Sequence, residues 1–363
     1  MGHAPFKWIL LGLRLHSFSR WHMSIYLRRD PLVLFLQVAT EVYGKVRTIT
    51  CASMHDENKE STRSSTLSVT VVIPAYNEEA NIERLIQQVL DEPWSDSVVL
   101  DKLIVVDDCS DDDTPEIIRL LASKHDHLHI IRHEQRSGKN AGIRDGIAAC
   151  RSDIIAILDA DIGLRRGCVT NTVQLLADNS AFAAASCVNE PLQARTWRER
   201  ASRFQALILT EGRRLGRASL LRVYAIRTVA IRDLVLPDTT HDDLYIPRWL
   251  RNHGYRYAVN PQAIAYTRSA TGLRDFAKQT LRAWQALDAL ERVLPITHPI
   301  MVEYGGRLLT LRIIVRAIRR EPLGFLLYVL WRGIVTATPT TLWLPTVEHT
   351  KHDQSASTKD LGI

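Results

Sequence analysis

The chain has 363 residues, 46% of them apolar and 24% charged, enough for one large α/β domain with appendages or for two ordinary domains, and this excludes a disordered or fibrous protein. Its formal charge of +6 favours anionic partners without choosing among phosphate ligands, acidic lipid and nucleic acid. Five widely spaced cysteines without a CxxC pair argue against a disulfide framework or a zinc ribbon, and for a reducing compartment.

Residues 1–50 carry seven Lys or Arg against Asp30 and Glu41, with Trp8, Trp21 and Phe35 interleaved. This composition suits either an interfacial anchor or a poorly ordered leader, and its apolar run is too short for a secretory signal. The polar stretch 53–66 reads as a linker, so the folded domain is expected to begin at 67.

"SVTVVIP" has the β-branched run of a buried strand, and Ile82, Leu85, Ile86, Val89 and Leu90 follow at helical spacing. The unit then repeats: "KLIVVDD", "TPEIIRLLASK", "LHIIRH", "GKNAGIRDGIAAC" and "DIIAILDAD" alternate strand with helix. That alternation predicts a mostly parallel sheet with helices on both faces, in which ligands bind beyond the carboxyl ends of the strands. "AYNEE", "DDCSDDDT", "RHEQRSGK" and "DADIG" all fall at those ends and are expected to converge on one edge.

The densest acidic cluster, "DDCSDDDT" at 107–114, is not an EF-hand loop, because the required Gly and Glu are missing in either register. Ser110 or Asp111 is expected to cap the following helix, with Asp112 and Asp113 at its positive end and Pro115 in its first turn. Asp107 and Asp108 sit instead at the mouth of the strand. "GK" at 138–139 lacks the first Gly and the Ser or Thr of a P-loop, yet Arg136 and Lys139 place two cations beside the acidic edge. A diphosphate would account for both, cations meeting its oxygens and carboxylates holding a bridging Mg²⁺ or Mn²⁺. Asp159 and Asp161, at i and i+2 on extended backbone, point the same way and are the candidate metal pair. "HDHLH" at 125–129 reads as an ordinary loop rather than a metal site.

"VVIPAYNEEANIERLI", "LIVVDDCSDDDT", "RSGKNAGIRDGI", "ILDADIG", "VYAIR" and "TTHDDLYIPRWLRNHGYR" occur in the order and approximate spacing of the inverting family 2 glycosyltransferases. The chain resembles that family over about residues 67–290. The resemblance implies a GT-A (Rossmann-like) fold over 67–295; beyond it, the residues themselves read as a helical, interfacial or packed segment at 296–345 and a polar tail at 346–363. It also implies transfer of a sugar from a nucleotide sugar, with UDP favoured, to a saccharide or lipid-linked acceptor.

By that resemblance Pro74, Ala75, Tyr76, Glu78, Asp107 and Asp108 hold the nucleotide, and Arg136 and Lys139 form the basic loop beside the base and diphosphate. Asp159 and Asp161 match the DxD motif, with Asp161 the direct metal ligand, and the metal (Mg²⁺ or Mn²⁺) neutralises the leaving nucleoside diphosphate. "THDD" stands where the family has Thr-Glu-Asp, which makes Asp243 the general base and Asp242 its neighbour. The plainer reading is helix capping, with Thr240 preceding acids in a first turn.

Two departures from the family pattern bear on the acceptor side. "QTLRAW" supplies Gln279 and Arg282 of a QxxRW motif but puts Trp284 one place late, which argues for transfer of one or a few sugars rather than processive synthesis. Residues 323–344 are interrupted by Arg332 and Pro339 and form a marginal membrane span at best. Before them, Arg312, Arg316, Arg319 and Arg320 line one helical face and Leu311, Ile314, Val315 and Ile318 another, suiting either an anionic membrane surface or packing on the catalytic domain. The expected location is the cytoplasm, with peripheral attachment to the inner face of the plasma membrane as the variant. Transfer to a polyprenyl phosphate and a non-catalytic nucleotide-sugar binder are the alternatives, and no nucleic-acid module is recognisable.

Overall fold

The computed structural model describes residues 66–215, 222–294 and 307–337. The basic leader, nearly all of the linker, the connection at 295–306 and the polar tail lie outside them.

The first half builds the parallel sheet that the alternating pattern predicts. Strand β1 (Leu67–Ala75) is followed by α1 (Ile82–Leu90), β2 (Val98–Asp107), α2 (Thr114–Ala122), β3 (Leu128–Arg132), α3 (Lys139–Ala149) and β4 (Ile154–Leu158). β1 pairs in parallel with both β2 and β4, and β2 with β3. Successive residues of β1 feed opposite faces, as the pleat requires. Val69, Val71 and Ile73 pack against Leu85, Ile86 and Ile118 on one side, while Val72 packs with Ile104, Val106 and Ile143 on the other. Each such fully buried side chain contributes about 1.5–3 kcal/mol, and these two cores fix the register of the strand ends. α3 lies close on the sheet at Gly146, where a Cβ would overlap the methyls of Val72.

The second half is not simple alternation. β5 (Gly163–Leu164), α4 (Cys168–Asp178), β6 (Ala184–Pro191), α5 (Arg200–Arg214), β7 (Val223–Arg227), α6 (Asp242–Asn252), β8 (Tyr257–Thr267) and α7 (Leu273–Val293) complete the domain. The eight strands run in the order β3-β2-β1-β4-β7-β6-β8-β5. β7 is antiparallel to both β4 and β6, and this inversion brings its amino end, at Arg222, beside the carboxyl end of β4. Asp159 N donates to Arg222 O at 2.9 Å across that junction.

Two more helices, α8 (Arg307–Arg320) and α9 (Pro322–Ala337), pack on α5. Phe204 of α5 meets Phe325 and Tyr328 of α9, each at 5.4 Å between ring centroids. α9 crosses α5 at Gly324, where a Cβ would overlap the Arg200 carbonyl oxygen. A buried polar layer reinforces the contact. Glu321 pairs with Arg200 at 2.8 Å and with the buried Arg203, and Arg320 pairs with Glu211 at 2.9 Å and with Glu190.

This packing corrects the sequence reading of α8. Ile313 and Ala317 form its buried face, Leu311 and Val315 are exposed, and Arg320 turns inward to Glu190 and Glu211. No helix among the described residues is long and apolar enough to cross a membrane. Residues 338–344 of the candidate span lie outside the described residues.

Candidate active site

The carboxyl ends of β1, β2, β3 and β4 lie side by side, and their four polar clusters meet there. Past β1, Asn77 adopts a left-handed φ of 55° and Cys109 after β2 one of 62°. The two turns are laced together: Asn77 N donates to Ser110 Oγ at 3.0 Å, Glu78 N to Thr114 Oγ1 at 2.7 Å, and Asn77 Nδ2 to Asp111 Oδ1 at 2.7 Å.

This lacing changes the reading of Asp111 to Asp113. Asp112 does reach the first turn of α2, accepting from Thr114 N at 3.0 Å, but it also accepts from Glu79 N at 3.1 Å. Asp111 holds Asn77, and Asp113 occupies the N-cap position without a side-chain capping bond. The acids therefore join two loops more than they start a helix.

Asp107 and Asp108 are buried at the strand mouth. Asp107 Oδ1 accepts from Ser110 N at 3.0 Å, and its Oδ2 lies 3.3 Å from Arg132 Nε. Asp108 accepts from Ser137 N (2.7 Å) and Gly138 N (2.8 Å) and faces His133 Nδ1 at 2.7 Å. Its carboxylate thus shapes the turn that carries Arg136 and Lys139. Gly138 takes a φ of 90° in this turn, which favours glycine. Arg136 stacks its guanidinium over Tyr76, 4.0 Å from the ring centroid.

Lys139, the first residue of α3, is the hinge of the electrostatics. Its Nζ lies 2.7 Å from Asp159 Oδ1 and 2.8 Å from Asp242 Oδ1. Burial alone would depress the Lys139 pKa, but the two carboxylates outweigh it and push it up. Asp159 shows the reciprocal balance: burial raises its pKa, and Lys139 and Arg222 bring the net shift down. Arg222 Nη1 touches Asp159 Oδ2 at 3.2 Å and both oxygens of Asp161 at 2.8 and 3.1 Å.

Asp242 and Asp243 begin α6. The capping role expected of Thr240 is not what forms, because its Oγ1 donates to Pro237 O at 3.1 Å and His241 is the N-cap. Asp242 accepts from Lys139 and from the buried hydroxyl of Tyr224 at 2.8 Å. Asp243 differs: its Oδ1 is buried without a hydrogen-bond partner. Burial, with the Asp242 charge added and Lys139 opposing, pushes the Asp243 carboxyl up to about 7. Burial likewise brings Glu78 to about 7, with Asn81 opposing and Asp161 and Asp159 adding to the rise.

A cleft of about 350 Å³ joins these groups, lined by Gly138, Lys139, Asp159, Arg222, Asp242 and Asp243 among others. A shallower hollow of about 600 Å³ between His133 and Asp145 contains none of the acids at 159, 161, 242 and 243. Gln279 and Arg282 are exposed on α7, and the Arg282 charge reaches His241, whose pKa is lowered first by burial and then by Lys139 and Arg282 against Asp242. The Trp284 side chain lies outside the described residues. Sequence reasoning missed Arg222, Tyr224 and His133. Arg222 and Tyr224 reach the acids only through the antiparallel insertion of β7, which no local pattern announces.

The donor set at Asp159 and Asp161 fits a hard divalent cation. Both oxygens of Asp161 already hold a cationic group, and all the ligand atoms are carboxylate oxygens. Among the described residues no cluster of three metal-ligating side chains forms, so the remaining positions would fall to water and phosphate.

Residues 70–236 match the sequence model described as glycosyl transferase family 2. The chain carries a family 2 glycosyltransferase domain. That domain has the GT-A fold: a mannosyltransferase from Pyrobaculum calidifontis, solved with GDP-Man and Mn²⁺, superposes with a TM-score of 0.53 at 20% identity, covering 86% of this chain and 90% of that one. The family 2 domain is 34% identical over 122 residues to glycosyltransferase AglE of Haloferax volcanii, covering 31% of this chain and 40% of that protein. It is 32% identical over 101 residues to dolichyl-phosphate beta-glucosyltransferase ALG5C of Trichomonas vaginalis (27% and 30%). It is 37% identical over 102 residues to glucosyl-3-phosphoglycerate synthase of Mycobacterium tuberculosis (26% and 29%). The match spans less than half the length of each of these relatives.

Proposed function

We propose that the protein transfers a single sugar, or a few, from a nucleoside-diphosphate sugar to an acceptor hydroxyl with inversion at the anomeric carbon. The observation that carries this reading is Asp243, a carboxyl with a buried unpartnered oxygen, held up to about 7, opening on the same cleft as Asp159 and Lys139. A base with that proton affinity takes the acceptor's proton at neutral pH. The acceptor oxygen then bonds to the anomeric carbon as the bond to the diphosphate oxygen breaks on the opposite face. Asp242, fixed by Lys139 and Tyr224, sits beside Asp243 and adds to the upward shift of the base.

The nucleotide lies along the β1 and β2 mouths. Pro74, Ala75, Tyr76 and Glu78 form one wall, and Arg136 completes a stacking surface with Tyr76. Asp107 and Asp108 set the turn geometry, and Lys139 approaches the diphosphate. Mg²⁺ or Mn²⁺ at Asp159 and Asp161 would offset the charge of the leaving diphosphate. UDP is the proposed nucleotide. A panel of UDP- and GDP-sugars with Mn²⁺, scored for thermal stabilisation and diphosphate release, is expected to single out one donor; no response to any donor would remove the assignment.

A second reading concerns the acceptor. Leu323, Leu326 and Leu330 form an exposed stripe along α9, with Leu326 63% and Leu330 58% exposed. They recur at helical spacing, and α8 adds exposed Leu311 and Val315 beside exposed Arg312, Arg316 and Arg319. Apolar surface rimmed by arginine fits the headgroup region of an anionic bilayer. A lipid-linked acceptor such as a polyprenyl phosphate would be presented at such a surface, and ALG5C is named for a dolichyl-phosphate acceptor. Gln279, Arg282 and Trp284 of α7 are the proposed acceptor-side residues. The protein is expected to float with phosphatidylglycerol vesicles, and Leu326→Asp/Leu330→Asp to lose about tenfold in binding.

A further inference from the structure

Arg222 has a conformation that needs explaining. Its φ of 59° lies in the left-handed region that favours glycine, and for an arginine this carries a cost of about 1 kcal/mol or more. What holds it there is the pair of acids. Its backbone oxygen accepts from Asp159 N, and its guanidinium spans Asp159 and Asp161, meeting both oxygens of the latter.

The consequence is a matter of charge. Asp159, Asp161 and Asp242 bring three carboxylates together, and among the described residues they are met by two cationic groups: Lys139, shared between Asp159 and Asp242, and Arg222, which meets Asp161 and also touches Asp159. A divalent cation entering alone at Asp159 and Asp161 would face an ammonium and a guanidinium at contact distance and would have to displace the guanidinium into water. A cation arriving with a nucleoside diphosphate brings its own compensating charge. The guanidinium then leaves the carboxylates for the phosphate oxygens, which it matches equally well as a fork.

We propose that Arg222 is a resident cation that occupies the Asp159–Asp161 pair until a diphosphate draws it away, so that metal and nucleotide bind together and neither binds well alone. This rests on the reading of Asp159 and Asp161 as the metal pair. It makes Arg222 a positioning residue for the diphosphate and a guard against idle metal loading.

The test is Mn²⁺ binding to the full chain, followed by the EPR signal of free Mn²⁺, with and without UDP or GDP. Arg222→Gly suits the left-handed backbone and leaves the fold intact, which its thermal unfolding checks; Arg222→Lys keeps a charge without the fork. Without nucleotide, Arg222→Gly is expected to bind Mn²⁺ about tenfold or more tightly than the parent chain, with Arg222→Lys between them. With a nucleoside diphosphate the parent is expected to gain Mn²⁺ affinity by a similar factor, and Arg222→Gly to gain much less. Equal Mn²⁺ affinities for parent and Arg222→Gly without nucleotide, alongside binding with nucleotide, would overturn the role of Arg222 and leave the metal pair standing. No Mn²⁺ binding by either protein under any condition would overturn the metal pair itself, and the proposal with it.

Discussion

Asp243→Asn is expected to lower transfer by about 10²–10⁴-fold while donor binding stays within a few-fold of the parent. The amide keeps the shape of the side chain and its place in the first turn of α6 but cannot take the acceptor's proton. The proposed donor contacts, Lys139 and Asp159, are separate side chains lining the same cleft and keep their own ion pair. The parent's rate should rise with pH and level off above about 7, because the base acts only when ionised and its carboxyl is pushed up to about 7. Stability should run the other way. In the unfolded chain an aspartate titrates near about 3.9, so the folded state binds more protons between that value and about 7. The stability contribution is full below the lower value and is lost as pH rises through the upper one. Glu78, also near 7, acts in the same direction. Asp243→Asn escapes its share of this loss and is expected to be more stable than the parent at pH 8, by about 1–4 kcal/mol in urea unfolding. Undiminished transfer by the variant would remove Asp243 from the mechanism, and an unchanged pH profile of stability would remove burial as the cause of its high pKa.

The second large effect is structural. Glu321→Ala is expected to cost about 3–5 kcal/mol in urea unfolding, because Arg203, only 3% exposed, would keep its charge without its carboxylate. Arg200→Ala removes a partner that is itself 38% exposed in its side chain and should cost less than about 1 kcal/mol. Replacing both members of the buried pair, Arg203→Met with Glu321→Leu, should recover most of the loss, since two apolar side chains need no partner. Proteolysis within α8 and α9 would accelerate in Glu321→Ala and not in the double variant. If Glu321→Ala behaved like Arg200→Ala, the buried pair would not be what fastens α9 to α5.

The parallel half of the sheet was legible because each strand is a continuous apolar run flanked by a helix of matching period, and both faces of β1 are buried. From that half alone the mouths of β1 to β4 follow, and with them the neighbourhood of Asp107, Asp108, Lys139 and Asp159. The antiparallel half was not legible. β5 has only two residues, and nothing in "VYAIR" says that it enters between β4 and β6. Arg222 and Tyr224 therefore reach the acids from a place in the chain that local periodicity does not connect to them. The arginines of α8 were misread for a related reason. Spacing separated charged from apolar residues, but the positions of the half-buried Glu190 on β6 and the buried Glu211 on α5 decided which arginines turn inward. Asp111 was misread because helix capping is a local pattern, whereas its partner, Asn77, is 34 residues away.

Asn140 follows Lys139 in α3, and its one amide group donates to the carbonyls of Pro237 at 2.6 Å and Thr240 at 2.7 Å. The segment that leads into Asp242 and Asp243 is thus moored to the helix that begins at Lys139. On the proposed roles, the gap between the base and the donor side is held by the protein before any substrate arrives, like the jaws of a caliper locked at one reading. On those roles, an acceptor would not need to draw the base toward the donor, and the energy of its binding would stay available to orient its hydroxyl. Selectivity among acceptors would then be decided at the rim of the cleft, by what can reach the fixed gap, rather than by closure around what has already entered.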